Sequence, residues 1–152
     1  MKVGDASSTS KVYRSALSPA ALAVLRGLSR HFNEAGWVYL NEFSLPNKRR
    51  ADLAAINSDG ELVIVEVKSC LADFTSDQKW QEYQGYCDRF YFAVDEDFPI
   101  DRIPETCGLL IADGFSASVI RLAETEKMHA SRRKALTLLF AQTAARRLAR
   151  LD

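Results

Sequence analysis

The apolar residues of this chain fall into two patterns, a helical spacing and short continuous runs. The helical spacing begins near Leu22 and predicts a helix over residues 19–35, with Ser18 as its N-cap. It returns near the C-terminus and predicts a long helix over residues 129–151. Residues 1–17 are polar and lack this spacing, which predicts a flexible N-terminal arm.

The short apolar runs predict six strands, because they are rich in β-branched and aromatic residues and too short for core helices. The predicted strands cover residues 37–43, 50–56, 61–69, 89–94, 108–112 and 118–122. Thr75 and Gln78 form a capping box that predicts a crossover helix over 75–86, so the third and fourth strands are expected to be parallel. We therefore predict an α/β fold in which a central mixed sheet is flanked by helices.

Two charged residues stand at the end of the third predicted strand, although its apolar run predicts burial on both faces. Glu66 and Lys68 are two residues apart, so their side chains point to the same face of the strand. A buried charge without compensation is costly or loses its charge through a shifted pKa. Either the two charges satisfy each other or they hold something, for which a metal ion is the obvious candidate.

The turn at Ser58-Asp59-Gly60 decides which residue faces this pair. A three-residue loop with its glycine in the left-handed conformation pairs Asn57 with Glu61 and places Asp52 opposite Glu66. A two-residue turn would shift the register by one and send Asp52 to the other face. We predict the three-residue loop, which brings Asp52, Glu66 and Lys68 together.

The spacing of Asp52, Glu66 and Lys68 resembles the signature of PD-(D/E)XK nucleases, with Arg50-Ala51 where the signature has its proline. A longer set of residues is similar to the MmcB family of bacterial DNA-repair proteins over roughly residues 20–150. That set comprises Arg49–Asp52, Val65–Ser69, Asp77, Lys79, Trp80, Tyr83 and Tyr86–Val94.

The resemblance implies a restriction-endonuclease-like sandwich in one domain over residues 18–152. It also implies a metal-dependent DNA endonuclease or DNA-processing protein that acts in repair. The carboxylates of Asp52 and Glu66 are hard oxygen ligands that suit Mg²⁺ or Mn²⁺, and the carbonyl of Val67 adds a ligand in nucleases of this type. Lys68 would orient the attacking water and stabilise the transition state of phosphodiester hydrolysis.

Four further residues are candidates on weaker grounds. Lys79 and Tyr83 resemble the Q-x-x-x-Y element of RecB-type nucleases, with lysine in place of glutamine. They would contact the scissile phosphate or brace Glu66; the alternative is that Tyr83 is a core aromatic residue and Lys79 extends to solvent. Arg49 and Arg50 flank Asp52 and would contact DNA phosphate, unless they are simply solvated.

The composition limits the partners. Lys+Arg and Asp+Glu are 20 each, so no overall positive field attracts nucleic acid, and the basic residues of 127–150 are the local exception. No run is long enough to cross a bilayer and no signal peptide is evident, so a cytoplasmic protein is expected. The three cysteines fit no metal-ligand spacing.

DNA is the expected partner, and a DNA-repair protein or a second copy of the chain stays open as another. The alternatives to a nuclease are a non-catalytic DNA-binding repair scaffold with the same fold, or an interaction domain whose charge cluster is inert.

Overall fold

In the computed structural model, which describes residues 17–76 and 79–151, the strands and the first and last helices follow the order that the apolar pattern predicts. The elements are α1 (Pro19–Glu34), β1 (Val38–Ser44), β2 (Arg50–Ile56), β3 (Leu62–Val67), α2 (Leu71–Ser76), α3 (Gln81–Gln84), β4 (Arg89–Val94), a 3-10 turn (Ile100–Arg102), β5 (Gly108–Ala112), β6 (Ala117–Arg121) and α4 (Ala130–Ala149). The predicted arm over residues 1–17 lies outside the described residues except for Leu17.

Across this part of the chain, six strands form one mixed sheet in sequence order, β1 to β6. β1, β2 and β3 pair antiparallel, β3, β4 and β5 pair parallel, and β5 and β6 form an antiparallel hairpin. The predictions of a mixed sheet and of a parallel β3–β4 pair are confirmed. Because β3, β4 and β5 run parallel, their carboxyl ends lie at one edge of the sheet.

Helices cover both faces of the sheet. α1 packs Val24, Leu28 and Phe32 against one face, and α3 and α4 pack Tyr83 and Leu136 against the other. A sheet buried on both faces by helices accounts for the continuous apolar runs of β3 and β4. Both layers are therefore anchored to the strands that carry the candidate site.

The start of α1 is as the sequence predicts. The Ser18 hydroxyl accepts a hydrogen bond from the Ala21 N–H at 3.1 Å, and Pro19 occupies the first turn, where its missing N–H costs nothing.

The predicted helix over 75–86 is wrong. Two short helices, α2 and α3, replace it, and the Thr75 hydroxyl lies inside α2 and donates to the Ala72 carbonyl at 3.2 Å. Gln78, the other half of the predicted capping box, lies outside the described residues.

Aromatic packing explains the break. The Phe74 ring contacts the Phe92 ring with centroids 5.4 Å apart, and the Trp80 ring stacks on Phe90 at 6.0 Å. Positions six apart on one continuous helix would point about 120° away from each other. The chain packs both rings against β4 only by interrupting the helix.

The apolar stripe of α4 is only partly buried. Leu136 and Phe140 are buried and Leu139 is half-buried, but Leu148, which the sequence places on the same stripe, is 67% exposed. None of the helices in the described ranges is long and apolar enough to cross a membrane.

Candidate active site at the ends of strands β2 and β3

The β2–β3 hairpin has the register that brings the predicted site residues together. Leu53 pairs with Val65 and Ile56 with Leu62, and Gly60 has a φ of +81°, in the left-handed region. The Asn57 N–H donates to the Glu61 carbonyl at 3.2 Å, which closes the loop. The three-residue loop is confirmed, and the same register places Asp52 opposite Glu66.

At this position the side-chain carboxylates of Asp52 and Glu66 accept backbone N–H groups across the two strands. The Asp52 N–H donates to Oε1 of Glu66 at 2.9 Å, and the Val67 N–H donates to Oδ2 of Asp52 at 2.8 Å. Each carboxylate therefore reaches the backbone of the strand that carries the other, so the two acids lie side by side at the ends of β2 and β3.

Glu66 and Lys68 lie in the interior. They are 5% and 6% exposed, whereas Asp52 is half-buried and opens the site toward solvent. The Lys68 N–H donates to the Ala93 carbonyl at 3.0 Å, so the backbone stays strand-like and alternation keeps Lys68 on the face of Glu66. Charges in such a low-dielectric setting interact more strongly with one another, and with any charge that enters, than they would in water.

Tyr83 is buried in the core and bonds to β2 just before the site. Its ring is buried and stacks on Phe90 with centroids 5.9 Å apart, and its hydroxyl donates to the Arg50 carbonyl at 3.1 Å. That bond holds β2 two residues before Asp52. Lys79 is exposed and precedes α3, so it does not share a helix with Tyr83 as the predicted helix over 75–86 would have it.

The two predicted phosphate-binding arginines are placed differently. Arg49 forms an ion pair with Glu82, and the Asn47 amide donates to the Glu82 carbonyl at 3.1 Å. Arg49 thus ties the β1–β2 turn to α3, and a phosphate would have to compete with Glu82 for it. Arg50 is exposed at the first position of β2.

An irregular residue in β1 faces Asp52. Asn41 pairs with Leu53 and Phe43 with Ala51, which leaves Glu42 opposite Asp52 with a left-handed φ of 51°. Such a φ is rare for a residue other than glycine and concentrates at functional sites.

Arg147 of α4 holds this irregularity in place. Its guanidinium donates to the carbonyls of Asn41 and Glu42, both at 2.6 Å. Sequence reasoning missed this contact, because nothing in the arginine-rich end of the chain distinguishes Arg147 from its neighbours.

Asp88 is a second residue that sequence reasoning missed. It is 2% exposed, it accepts hydrogen bonds from the N–H groups of Leu62 at 2.8 Å and Met128 at 3.1 Å, and it forms an ion pair with Arg133. Burial alone would raise the pKa of Asp88, but hydrogen bonds from Arg133, Leu62 and Met128 outweigh it and lower that pKa. A carboxylate directly before an apolar strand was the available signal.

The donor set of the site is small. Among the described residues, no group of three or more His, Cys, Asp or Glu side chains is arranged to hold a metal ion. A cation at this site would rest on two carboxylates, a backbone carbonyl and water. Mg²⁺ commonly binds in this way, through one or two carboxylates with retained water.

Three comparisons with known proteins bear on this arrangement. A family model described as "DNA repair protein MmcB-like" matches residues 8–152. A solved structure of a protein of unknown function from Silicibacter pomeroyi is similar, with a TM-score of 0.84 and 41% sequence identity over 90% of this chain and 92% of that one. No protein with a curated description matches the sequence.

Proposed function

Because the chain belongs to the MmcB-like family of DNA repair proteins, whose model matches residues 8–152, we propose that it is a metal-dependent DNA endonuclease or DNA-processing enzyme. It would hydrolyse phosphodiester bonds at Asp52, Glu66 and Lys68, on a restriction-endonuclease-like fold of the PD-(D/E)XK superfamily. The observation that carries the proposal is the reciprocal cross-strand bonding of Asp52 and Glu66 beside the buried Lys68.

The carboxylates fit a hard divalent cation. Asp52 and Glu66 supply oxygen donors from adjacent strands, and backbone N–H groups fix the position of each. With the carbonyl of Val67 they would hold Mg²⁺ or Mn²⁺. Such an ion, when bound, supplies Lewis-acid polarisation of the phosphoryl group and a bound water of lowered pKa.

Lys68 would provide the positive charge that the transition state needs. The residue is buried, and its ammonium group would donate hydrogen bonds to a non-bridging phosphoryl oxygen and orient the attacking water. In this proposal Lys68 acts as an electrostatic clamp on the phosphoryl group rather than as a base.

Two other residues have supporting roles in the proposal. Tyr83 positions β2 through its bond to the Arg50 carbonyl. Lys79 is exposed on the segment between α2 and α3, where it would meet the phosphate backbone of bound DNA. DNA is the proposed partner and the cytoplasm the proposed location. Because the chain has no net charge, a second copy of the chain or a DNA-repair protein would add positively charged surface for binding DNA.

One observation favours a second candidate, a non-catalytic DNA-binding repair scaffold. Each carboxylate of the site already accepts a backbone N–H, so Asp52 and Glu66 have a structural task independent of any metal. Arg49 is likewise ion-paired to Glu82 within the protein.

Calorimetric titration with Mg²⁺ and Mn²⁺ separates the two candidates. We expect the wild type to bind metal, and Asp52→Asn and Glu66→Gln to lose that binding together with metal-dependent cleavage of branched or damaged DNA. Asp59→Asn is the matched control, because Asp59 is exposed at the far end of the same hairpin. If the wild type binds no metal with DNA present or absent, the nuclease proposal fails and the scaffold remains.

A further inference from the structure

A groove crosses the outer side of α1 between the β5–β6 turn and β1. It has a volume of about 610 Å³, and its lining includes Arg26, Arg30, Phe115 and Asn41. Among the described residues that line it none is acidic, although the whole chain carries no net charge. The groove is therefore a local positive region of the kind that a neutral DNA-binding protein requires.

Phe115 stands exposed on a turn that is firmly held. Phe115 lies in the turn between β5 and β6 and is 76% exposed to solvent. Oδ1 of Asp113 accepts the N–H groups of Phe115 at 2.7 Å and of Ser116 at 2.8 Å, which fixes the turn. These bonds also direct the Asp113 carboxylate into the turn.

The turn rests directly on α1. A Cβ at Gly27 would lie 2.1 Å from the Asp113 carbonyl oxygen and 2.5 Å from that of Ser116, so only glycine permits the contact. The Arg30 guanidinium approaches the Phe115 carbonyl at 3.5 Å. An aromatic ring is thus presented beside two arginines on a rigid support.

Acidic residues next to the groove limit where a phosphate backbone can bind. Four acids, Asp95, Glu96, Asp97 and Asp113, line a separate depression that meets the groove at Gly114. A phosphate backbone would be repelled there and attracted to the side of Arg26 and Arg30. The groove then extends to Asn41, whose strand partner Leu53 packs on the α1 face of the sheet.

We propose that this groove binds an unpaired DNA segment, with a base stacked on Phe115 and phosphates at Arg26 and Arg30. Glu66 lies between Val65 and Val67, which pack on the α1 face, so its own side chain is on the opposite face and the groove is a separate binding surface. Stacking on an aromatic ring is available to every base, and arginines track the backbone, so binding would favour single strands with little sequence preference. The inference rests on the proposed function for DNA as the partner, and it requires no cleavage.

Fluorescence anisotropy with a labelled oligonucleotide tests the groove, in chelator and on an Asp52→Asn background so that cleavage does not intervene. We expect Phe115→Ala to weaken single-strand binding by about 5-fold to 100-fold, with Phe115→Leu intermediate because it keeps bulk but loses the aromatic face. We expect Arg26→Ala/Arg30→Ala to lower the salt slope by about 0.7 for each phosphate that an arginine no longer neutralises.

Matched controls are available outside the groove. Leu122→Ala removes another exposed apolar side chain, and Arg102→Ala/Arg146→Ala removes two exposed arginines outside the groove. Both should bind as the wild type does, and unchanged circular dichroism would show that every variant folds.

The inference is overturned if the groove variants bind single strands as tightly as the wild type, if duplex is preferred, or if the protein binds no DNA. The first two results leave the nuclease proposal standing, because metal binding and cleavage by the wild type are measured separately. Only absence of DNA binding together with absence of cleavage defeats both.

Discussion

Asp88 joins four parts of the molecule, and its replacement by asparagine should be among the most destabilising conservative changes in the chain. Its two carboxylate oxygens accept bonds from the start of β3, from the segment before α4, and from the guanidinium of Arg133 on α4. Its own N–H donates to the Leu62 carbonyl at 2.8 Å. Asp88→Asn keeps the shape but leaves one acceptor oxygen where there were two.

The magnitude follows from what is left unpaired. The amide NH₂ must face either the Leu62 or the Met128 N–H, and a buried donor without a partner costs about 1–3 kcal/mol. Loss of the charge-assisted bonds between Asp88 and Arg133 adds to this cost. The added cost is reduced because Arg133 is partly exposed to water and keeps its 2.7 Å bond to the Gly60 carbonyl. We expect a total of about 3 kcal/mol, a large share of the roughly 5–15 kcal/mol typical of a domain.

Urea unfolding measures this directly. With a slope of about 1–3 kcal/mol per molar urea, the midpoint should fall by roughly 1–3 M at unchanged slope. Asp101→Asn, at an exposed position, is the control and should leave the midpoint in place. A loss below about 1 kcal/mol at pH 7 would refute the reasoning, since it would mean that no buried group is left unsatisfied.

The stabilities of the wild type and of Asp88→Asn should also depend differently on pH. The pKa of Asp88 is lowered in the folded protein, so the carboxylate contributes stability above its unfolded pKa of about 3.9 and loses it as the pH falls through the lower folded value. The stability difference between wild type and Asp88→Asn should be constant near neutrality and shrink below about pH 4. A difference that stays constant into that acid range would contradict the assigned direction.

Two further predictions concern the site and the thiols. Arg147→Ala should cost about 1–2 kcal/mol of stability and reduce the proposed DNA cleavage more than this loss explains, because the left-handed Glu42 opposite Asp52 would relax. The exposed neighbour Arg146→Ala is the control, and equal effects of the two would count against a positioning role. Burial raises the pKa of Cys87 to about 12, so at pH 8 only about one molecule in ten thousand carries its thiolate. An aromatic disulfide reagent should therefore label the exposed Cys70 quickly and Cys87 only in denaturant, and rapid native labelling of Cys87 would show that the core opens.

The candidate site was largely predictable because its geometry is local. The loop at residues 58–60 contains the glycine that a three-residue hairpin needs, and strand alternation does the rest. Together they place Asp52 opposite Glu66, on the face of Lys68. Strands β2, β4 and β5 also end where the apolar runs end, since a run buried on both faces has sharp polar limits.

Long-range packing decided the remainder, and no local pattern encodes it. The region 71–84 forms two short helices because Phe74 and Trp80 must both reach β4. The bond from Arg147 to the irregular part of β1 joins residues more than a hundred positions apart, and the Asp88–Arg133 pair spans most of the C-terminal half. Sequence determines periodicity and turn chemistry, which act within a few residues, whereas the partner of a buried charge is known only when the chain has brought distant segments together.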